Sequence, residues 1–370
     1  MIGRNKRRLG ERGEDRVRIF DYRRLVDRTW DNEIVSLVGK IHEYKGRQAL
    51  YFRQKPVELE RLTEIARIQS TEASNWIEGI VTTNVRLKQL VANKTTPRNR
   101  DEEEILGYRN VLNLIHENYS VIPIKPDYLL QLHRDLLRYT ALPYGGKFKT
   151  VPNEIDMVLP SGERKLLFQP LEPYETSGAV EAICRSYGET VAMHMVDELI
   201  LIPVFLLDFL CIHPFNDGNG RMSRILTLLL LYQAGYMVGQ FISIEKAIAD
   251  TKESYYEALS LADRNWHAGK NDPKPFIRYM LGIILSCYRD FEARLQLEHA
   301  AGIRSTAYDV VKAYALRTLG MFNKQDVLIA CPQIGSSSAE AALKRLVEEK
   351  VVIRTGNGRK TRYVRGMVDR

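Results

Sequence analysis

The sequence predicts a mostly α-helical protein with one β-hairpin and a small C-terminal winged helix. Two apolar runs, Leu199 to Ile212 and Ile225 to Tyr232, bracket a short polar stretch and read as two buried helices joined by a loop. Between Lys147 and Pro170 the helical periodicity gives way to extended stretches, Val151 to Leu159 and Lys165 to Phe168, split by Pro160-Ser-Gly-Glu163, the pattern of a hairpin. From Ala307 onward, helical segments are followed by two short strands around Thr355-Gly-Asn-Gly-Arg359, the order of a winged helix.

The elements follow in chain order. Residues 1–28 hold ten basic against five acidic side chains, and Arg4, Lys6, Arg7 and Arg8 form a run suited to solvent or an acidic partner. A helical arm, residues 1–56, is expected to meet the next segment somewhere between Lys40 and Pro56. Ser74 and Glu78 stand at i and i+4 of a helix over about 70–80, where they share a face, or Ser74 starts the helix. Tyr255 and Tyr256 lie in a later helix, one of them expected in the core. A boundary near Ala300 to Arg304 separates residues 57–302 from residues 303–370. In that last segment helices are expected from Ala307 to Leu319, Asn323 to Ala330 and Ser337 to Glu349, with Ser336 to Ser338 as the cap. Ala341, Leu343, Leu346 and Val347 would be buried, and Arg354, Arg359, Lys360 and Arg362 would arm the wing.

Composition narrows the class. A chain of 370 residues, 45% of them hydrophobic, exceeds a typical single helical core and suits a globular multidomain protein. Its apolar stretches are interrupted by charge within about a dozen residues, too short to span a bilayer, and the first residues lack a signal-peptide core, so a cytoplasmic location is expected. Cys184, Cys211, Cys287 and Cys331 have no Cys-x-x-Cys spacing and read as free buried thiols.

The chemistry lies in His213-Pro-Phe-Asn-Asp-Gly-Asn-Gly-Arg-Met-Ser-Arg224. Gly218, Asn219 and Gly220 open a helix, so backbone amides and the positive helix end can meet an anion; no Walker spacing occurs in the chain. His213, with an ordinary pKa near ~6.5, can accept a proton at neutral pH and is the candidate general base. Asp217 is a hard oxygen ligand for Mg2+ arriving with ATP. Arg221 and Arg224, about one turn apart, can reach different phosphates, and Phe215 should point inward as an anchor.

At every defined position this stretch matches His-x-Phe-x-Asp/Glu-Gly-Asn-Gly-Arg-x-x-Arg, and the chain resembles the Fic (Fido) family over about residues 57–290. The resemblance implies an all-helical Fic-type core that transfers AMP from ATP to a Ser, Thr or Tyr hydroxyl of a protein. It implies His213 as the base, Asp217 on Mg2+, and Asn219 with the glycine amides at the α-phosphate. Arg221 would lie on the β-phosphate side and Arg224 at the γ-phosphate, with Phe215, Asn216, Gly218 and Gly220 among the nucleotide-site residues.

Further positions follow from the same resemblance. Ser74-Asn-Trp-Ile-Glu-Gly79 is similar to the family's upstream inhibitory pattern, which implies that Glu78 pairs with Arg224 and restrains the enzyme. The hairpin at 147–170 resembles the family flap, which docks a target protein by strand addition. Its entry, Tyr144-Gly-Gly-Lys-Phe-Lys149, departs from the family in having Lys149 in place of an arginine. Tyr256 is the implied adenine neighbour; Asp263 stands where relatives carry an asparagine, and Asn265 is a nearby substitute. Self-modification, a homodimer, and DNA or protein contact through residues 303–370 are further expectations. Two other readings stay open: another phosphate-linked transfer or removal of AMP, and a DNA-binding regulator whose core responds to a nucleotide.

Overall fold

A computed structural model describes residues 18–54, 56–158, 164–300, 306–318, 320–331, 334–356 and 361–366 of the chain. It is mostly helical. The N-terminal half holds α1 (Asn32–Gln54), α2 (Pro56–Ile77), α3 (Asn84–Val91), α4 (Arg100–Asn118) and α5 (Pro126–Leu136). A two-stranded antiparallel hairpin follows, β1 (Ile155–Val158) with β2 (Arg164–Phe168), and then α6 (Pro173–Met193), α7 (Glu198–Ile212) and α8 (Asn219–Gln233). After these come α9 (Ile244–Asp250), α10 (Lys252–Ala262) and α11 (Lys274–Ala300). The C-terminal unit is α12 (Ala307–Arg317), α13 (Lys324–Ala330), α14 (Ser336–Glu348) and the antiparallel pair β3 (Val352–Thr355) and β4 (Arg362–Arg365). The Pro160–Glu163 turn, the tail arginines and lysine at 4–8, and Arg359 and Lys360 lie outside the described residues.

The core is built around α7. From Leu199 to Ile212 every residue of this helix is buried, as expected of a helix that is apolar on all sides and so must be surrounded. Helices α6, α8 and α11 pack on it, and α8 is itself buried from Arg221 to Tyr232. Because both helices are locked in the core, the loop between them, residues 213–218, is held at both ends.

The apolar run of α7 carries a charged residue, Asp208. Asp208, on α7, is 1% exposed and accepts from Arg18 Nη2 at 2.7 Å, Trp266 Nε1 at 2.6 Å and Tyr22 Oη at 3.0 Å. A buried carboxylate is costly unless paired and hydrogen-bonded, so this network fastens the segment before α1 to the core. Helix α1 continues the attachment by packing along α11, with Ile34 and Ile41 fully buried. Between Lys40 and Pro56, where the arm is expected to meet the next segment, α1 runs on to Gln54 and the break falls where Pro56, which fixes φ and lacks an N–H, opens α2.

The C-terminal unit has its own core of Val311, Phe322, Val327, Leu343, Leu346 and Val352, and α12 lies against α2. Two expectations there are corrected. Gly335, not a serine, is the N-cap of α14, and no side chain caps it. Ala341 is exposed while Ala342 faces inward, because Ala339, Ala342, Leu343 and Leu346, at i, i+3, i+4 and i+7, form the buried face of α14. All four cysteines are buried free thiols. Among the described residues no helix is long and apolar enough to cross a membrane.

Candidate active site

The end of α7 delivers His213. It is the C-cap, in the left-handed region at φ 51°, a conformation that costs a side-chain-bearing residue of order 1–3 kcal/mol. Surrounding bonds enforce it. The His213 amide donates to Phe209 O at 3.0 Å, and Asn153 Nδ2 donates to both His213 O (3.3 Å) and Phe215 O (3.0 Å). Lys149, 2% exposed, donates from Nζ to Ile212 O at 3.1 Å and to Asn153 Oδ1 at 2.8 Å, and its amide donates to Pro214 O at 2.8 Å. Lys149 is therefore a prop under the α7 terminus.

The tautomer of His213 follows from its neighbour. Nδ1 lies 3.2 Å from Leu210 O, and a carbonyl can only accept, so Nδ1 carries the hydrogen and Nε2 keeps a free lone pair. Burial pushes the imidazole down to about 4, and the Lys149 charge adds to the effect, so the ring is neutral at pH 7. His133 and His116 are likewise pushed down by burial, to about 4 and about 3. An unfolded histidine titrates near ~6.5, so below that pH the unfolded chain binds protons that the folded chain refuses. The thermal midpoint should therefore fall as pH drops from about 7 to about 5, before most carboxylates titrate. A midpoint that stays level or rises over that interval would contradict the assignment of these three rings as neutral in the fold.

The loop itself is closed by Asn219. Its Oδ1 accepts from Phe215 N at 2.9 Å and its Nδ2 donates to Phe215 O at 2.7 Å. Both polar atoms of the Asn219 side chain are thus engaged with the loop backbone, and the residue is 2% exposed. Phe215, also expected among the nucleotide-site residues, buries its ring completely and stacks on His133 with centroids 3.8 Å apart, so it supports the loop from beneath. Asn216 is half-buried with its Oδ1 unpartnered. Gly218 has φ 83°, and a β-carbon there would press on Leu136 and His133, which makes glycine the fitting residue.

Around this loop the charged side chains converge in pairs. Arg224, 3% exposed, donates from Nε to Ser74 Oγ at 2.8 Å, and from Nη2 to Ser74 O at 2.8 Å and to Glu78 Oε1 at 2.7 Å. A β-carbon at Gly220 would collide with the Glu78 carboxylate, which therefore rests directly on the first turn of α8, where an anion would bind. Burial opposes charge on Glu78, yet the Arg224 guanidinium overcomes it and holds the carboxyl below its ordinary range. Arg221, fully buried, has Nη1 2.6 Å from Glu104 Oε2 and Nη2 3.4 Å from Asp217 Oδ1. Arg100 bridges the same acids, with Nε 2.7 Å from Glu104 and Nη2 3.5 Å from Asp217.

Asp217 is 37% exposed at the loop mouth, and its contacts to both arginines are long. Among the described residues no cluster of three or more His, Cys, Asp or Glu could hold a metal by itself. One accessible carboxylate beside an anion site nevertheless fits Mg2+, which takes one or two carboxylates and fills its remaining positions with water and phosphate oxygens. Tyr255 is buried against Phe276 and Tyr279, whereas Tyr256 stays partly exposed near Glu78 and Arg224. Lys252 Nζ donates to Ile77 O at 2.9 Å and caps the end of α2. Asp263 caps α10, and Asn265 occupies a left-handed turn at φ 60°.

The fold thus gathers His213, Asp217, Gly218, Gly220, Arg221, Arg224, Ser74, Glu78 and Tyr256 into one site. Sequence reading missed Arg100, Glu104, His133 and Asn153, and it did not foresee the prop role of Lys149. Each acts from another element across more than 50 residues of chain, so its partner at the loop is not legible from its local sequence.

Comparison with known proteins is consistent with this geometry. The family model Fic/DOC matches residues 123–231. "Protein adenylyltransferase Fic" of Drosophila melanogaster is 27% identical over 276 residues, 73% of this chain and 48% of the relative. The protein of the same name in Culex quinquefasciatus is 26% identical over 232 residues, 60% of this chain and 41% of the relative. The chain thus spans about half the length of these curated relatives. The crystal structure of a Fic family protein from Desulfovibrio desulfuricans G20 superposes with a TM-score of 0.60 at 21% identity, covering 93% of this chain and 98% of that one. Fic-1 from C. elegans gives 0.55 at 19% identity over 70% and 71% of the two chains. At such identities the structures speak for the fold.

Proposed function

We propose that the chain, whose residues 123–231 form a Fic/DOC-family domain, is a protein adenylyltransferase restrained by Glu78. The observation that carries the reading is the free Nε2 lone pair of His213 at the rim of an anion-binding helix start that already holds a carboxylate. His213 accepts the proton of a Ser, Thr or Tyr hydroxyl as that oxygen attacks the α-phosphorus of ATP. The bond from the α-phosphorus to the bridging oxygen breaks, and pyrophosphate leaves. Little covalent help is needed from the protein; placement and charge neutralisation carry the step. The Gly218 and Gly220 amides face the phosphates, Arg221 and Arg224 neutralise them once their acidic partners are displaced, and Tyr256 borders the base. Asp217 would hold Mg2+, which when bound screens phosphate charge.

The test is a lysate incubated with ATP and Mg2+, with modified proteins read by mass spectrometry. A hydroxyl-bearing residue gaining one AMP supports the reading; gain of a phosphate alone overturns it. Asp217→Asn keeps the shape but loses the charge. It should lower transfer about tenfold or more and be partly rescued at high Mg2+ or Mn2+, whereas an unchanged metal dependence would mark Asp217 as a turn residue only.

The hairpin β1–β2 pairs with no other described strand, so its outer edges are open to strand addition by a target segment. We read the C-terminal unit as a winged helix. Exposed Arg354, Arg362 and Arg365 on its strands favour contact with an acidic partner, DNA among them. Retardation of DNA that weakens with salt would support that contact.

A further inference from the structure

His133, on α5, is fully buried and contacts two parts of the site at once. The Gly146 amide, at the entry to the hairpin, donates to its Nδ1 at 3.1 Å. An amide can only donate, so Nδ1 is bare and Nε2 bears the hydrogen, which it donates to Asp217 O at 3.0 Å. The ring lies flat on Phe215, 9° from parallel, which leaves it no freedom to turn away. Both nitrogens and one face are thus committed to fixed partners.

The bond to Asp217 O has a consequence at the next atom. In a trans peptide the C=O and the following N–H point in opposite directions, so tying Asp217 O to α5 turns the Gly218 N–H away from α5, toward the mouth of the loop. That amide now donates to Asp217 Oδ1 at 2.6 Å, on the carboxylate's side. Apart from that bond to the partly exposed side chain of Asp217 itself, local restraint is weak, because glycine at Gly218 tolerates φ of either sign and the Asp217–Gly218 peptide could rotate. Rotated, it would present a carbonyl oxygen to the anion in place of an amide hydrogen.

We infer that His133 is a positioning residue that fixes the Asp217–Gly218 peptide so that its amide faces the nucleotide phosphates. This rests on the reading of the loop as a phosphate site.

Three variants of the full-length chain separate this role from simple packing. His133→Gln places an amide nitrogen near the position of Nε2 and retains a donor for Asp217 O. His133→Asn can reach Gly146 but not Asp217, and His133→Phe keeps the stack while losing both bonds. Mg–ATP affinity, measured by titration calorimetry, should stay within about threefold of wild type for the Gln variant. It should fall about tenfold or more for the Asn and Phe variants, the scale of one hydrogen bond to a charged group. Adenosine, which lacks phosphates, should bind all of them alike. Equal losses in the Gln and Asn variants, a better Asn than Gln, or wild-type affinity throughout would overturn the inference, and the Gln–Asn comparison holds even if the Phe variant does not fold. If neither the wild-type chain nor its Glu78→Gly form, to which the three changes would then be added, binds Mg–ATP, the phosphate-site reading itself fails and takes the inference with it; if one of them binds and Gln equals Asn, the inference alone fails.

Discussion

Replacing Glu78 by glycine should raise AMP transfer, to the chain itself and to targets, by about tenfold or more, the equivalent of removing roughly 1.4 kcal/mol of competition. The carboxylate holds Arg224 at 2.7 Å and rests against Gly220, so it occupies both the guanidinium and the helix start that a triphosphate would use. A charge-assisted pair of this kind competes on equal terms with a phosphate contact. The sign of the effect is decisive: a solvated surface glutamate would change little and a stabilising one would lower activity, whereas an inhibitory one must raise it. Arg224→Ala in the Glu78→Gly background should erase the gain, because both changes act on one contact and cannot be additive. Incorporation of α-labelled ATP in wild type, both single variants and the double variant reads this out.

The second large effect is at the base. His213→Ala, made in the Glu78→Gly background so that transfer is measurable, should reduce the rate at least ~10²-fold, the lower end for loss of a general base. Mg–ATP binding should be nearly unchanged, since it depends on the loop amides and arginines. A variant retaining more than about a tenth of the rate would remove His213 from that role. The acid limb of kcat/KM, which reports the free enzyme, should lie well below ~6.5 because the folded ring is pushed down to about 4.

How much of this was legible beforehand depends on the range of each interaction. Helices α7 and α8 announced themselves because a fully buried helix is a continuous apolar run, and the loop between them because Asp217, Gly218 and Gly220 interrupt it. Pairs that cross the fold left no local trace. Glu104 with Arg221, Arg18 with Asp208, and His133 with Asp217 and Gly146 are joined only by folding, and such residue types also serve solubility, turns and packing throughout a chain. Smaller features were illegible for physical reasons too. The Asn219 side chain could serve a ligand or a backbone equally well, and only the fold shows that it holds Phe215. The middle of α1 is charged like a linker, while its other face, with Ile34 and Ile41, packs on the core.

The central claim is that this site moves AMP, under the restraint of Glu78. The most direct measurement supplies the full-length Glu78→Gly chain with Mg2+ and, in parallel, α-labelled and γ-labelled ATP, and follows label in protein. Label entering only from the α-position, and more than in the unaltered chain, is the result predicted. Label entering from the γ-position, or none from either, would contradict it.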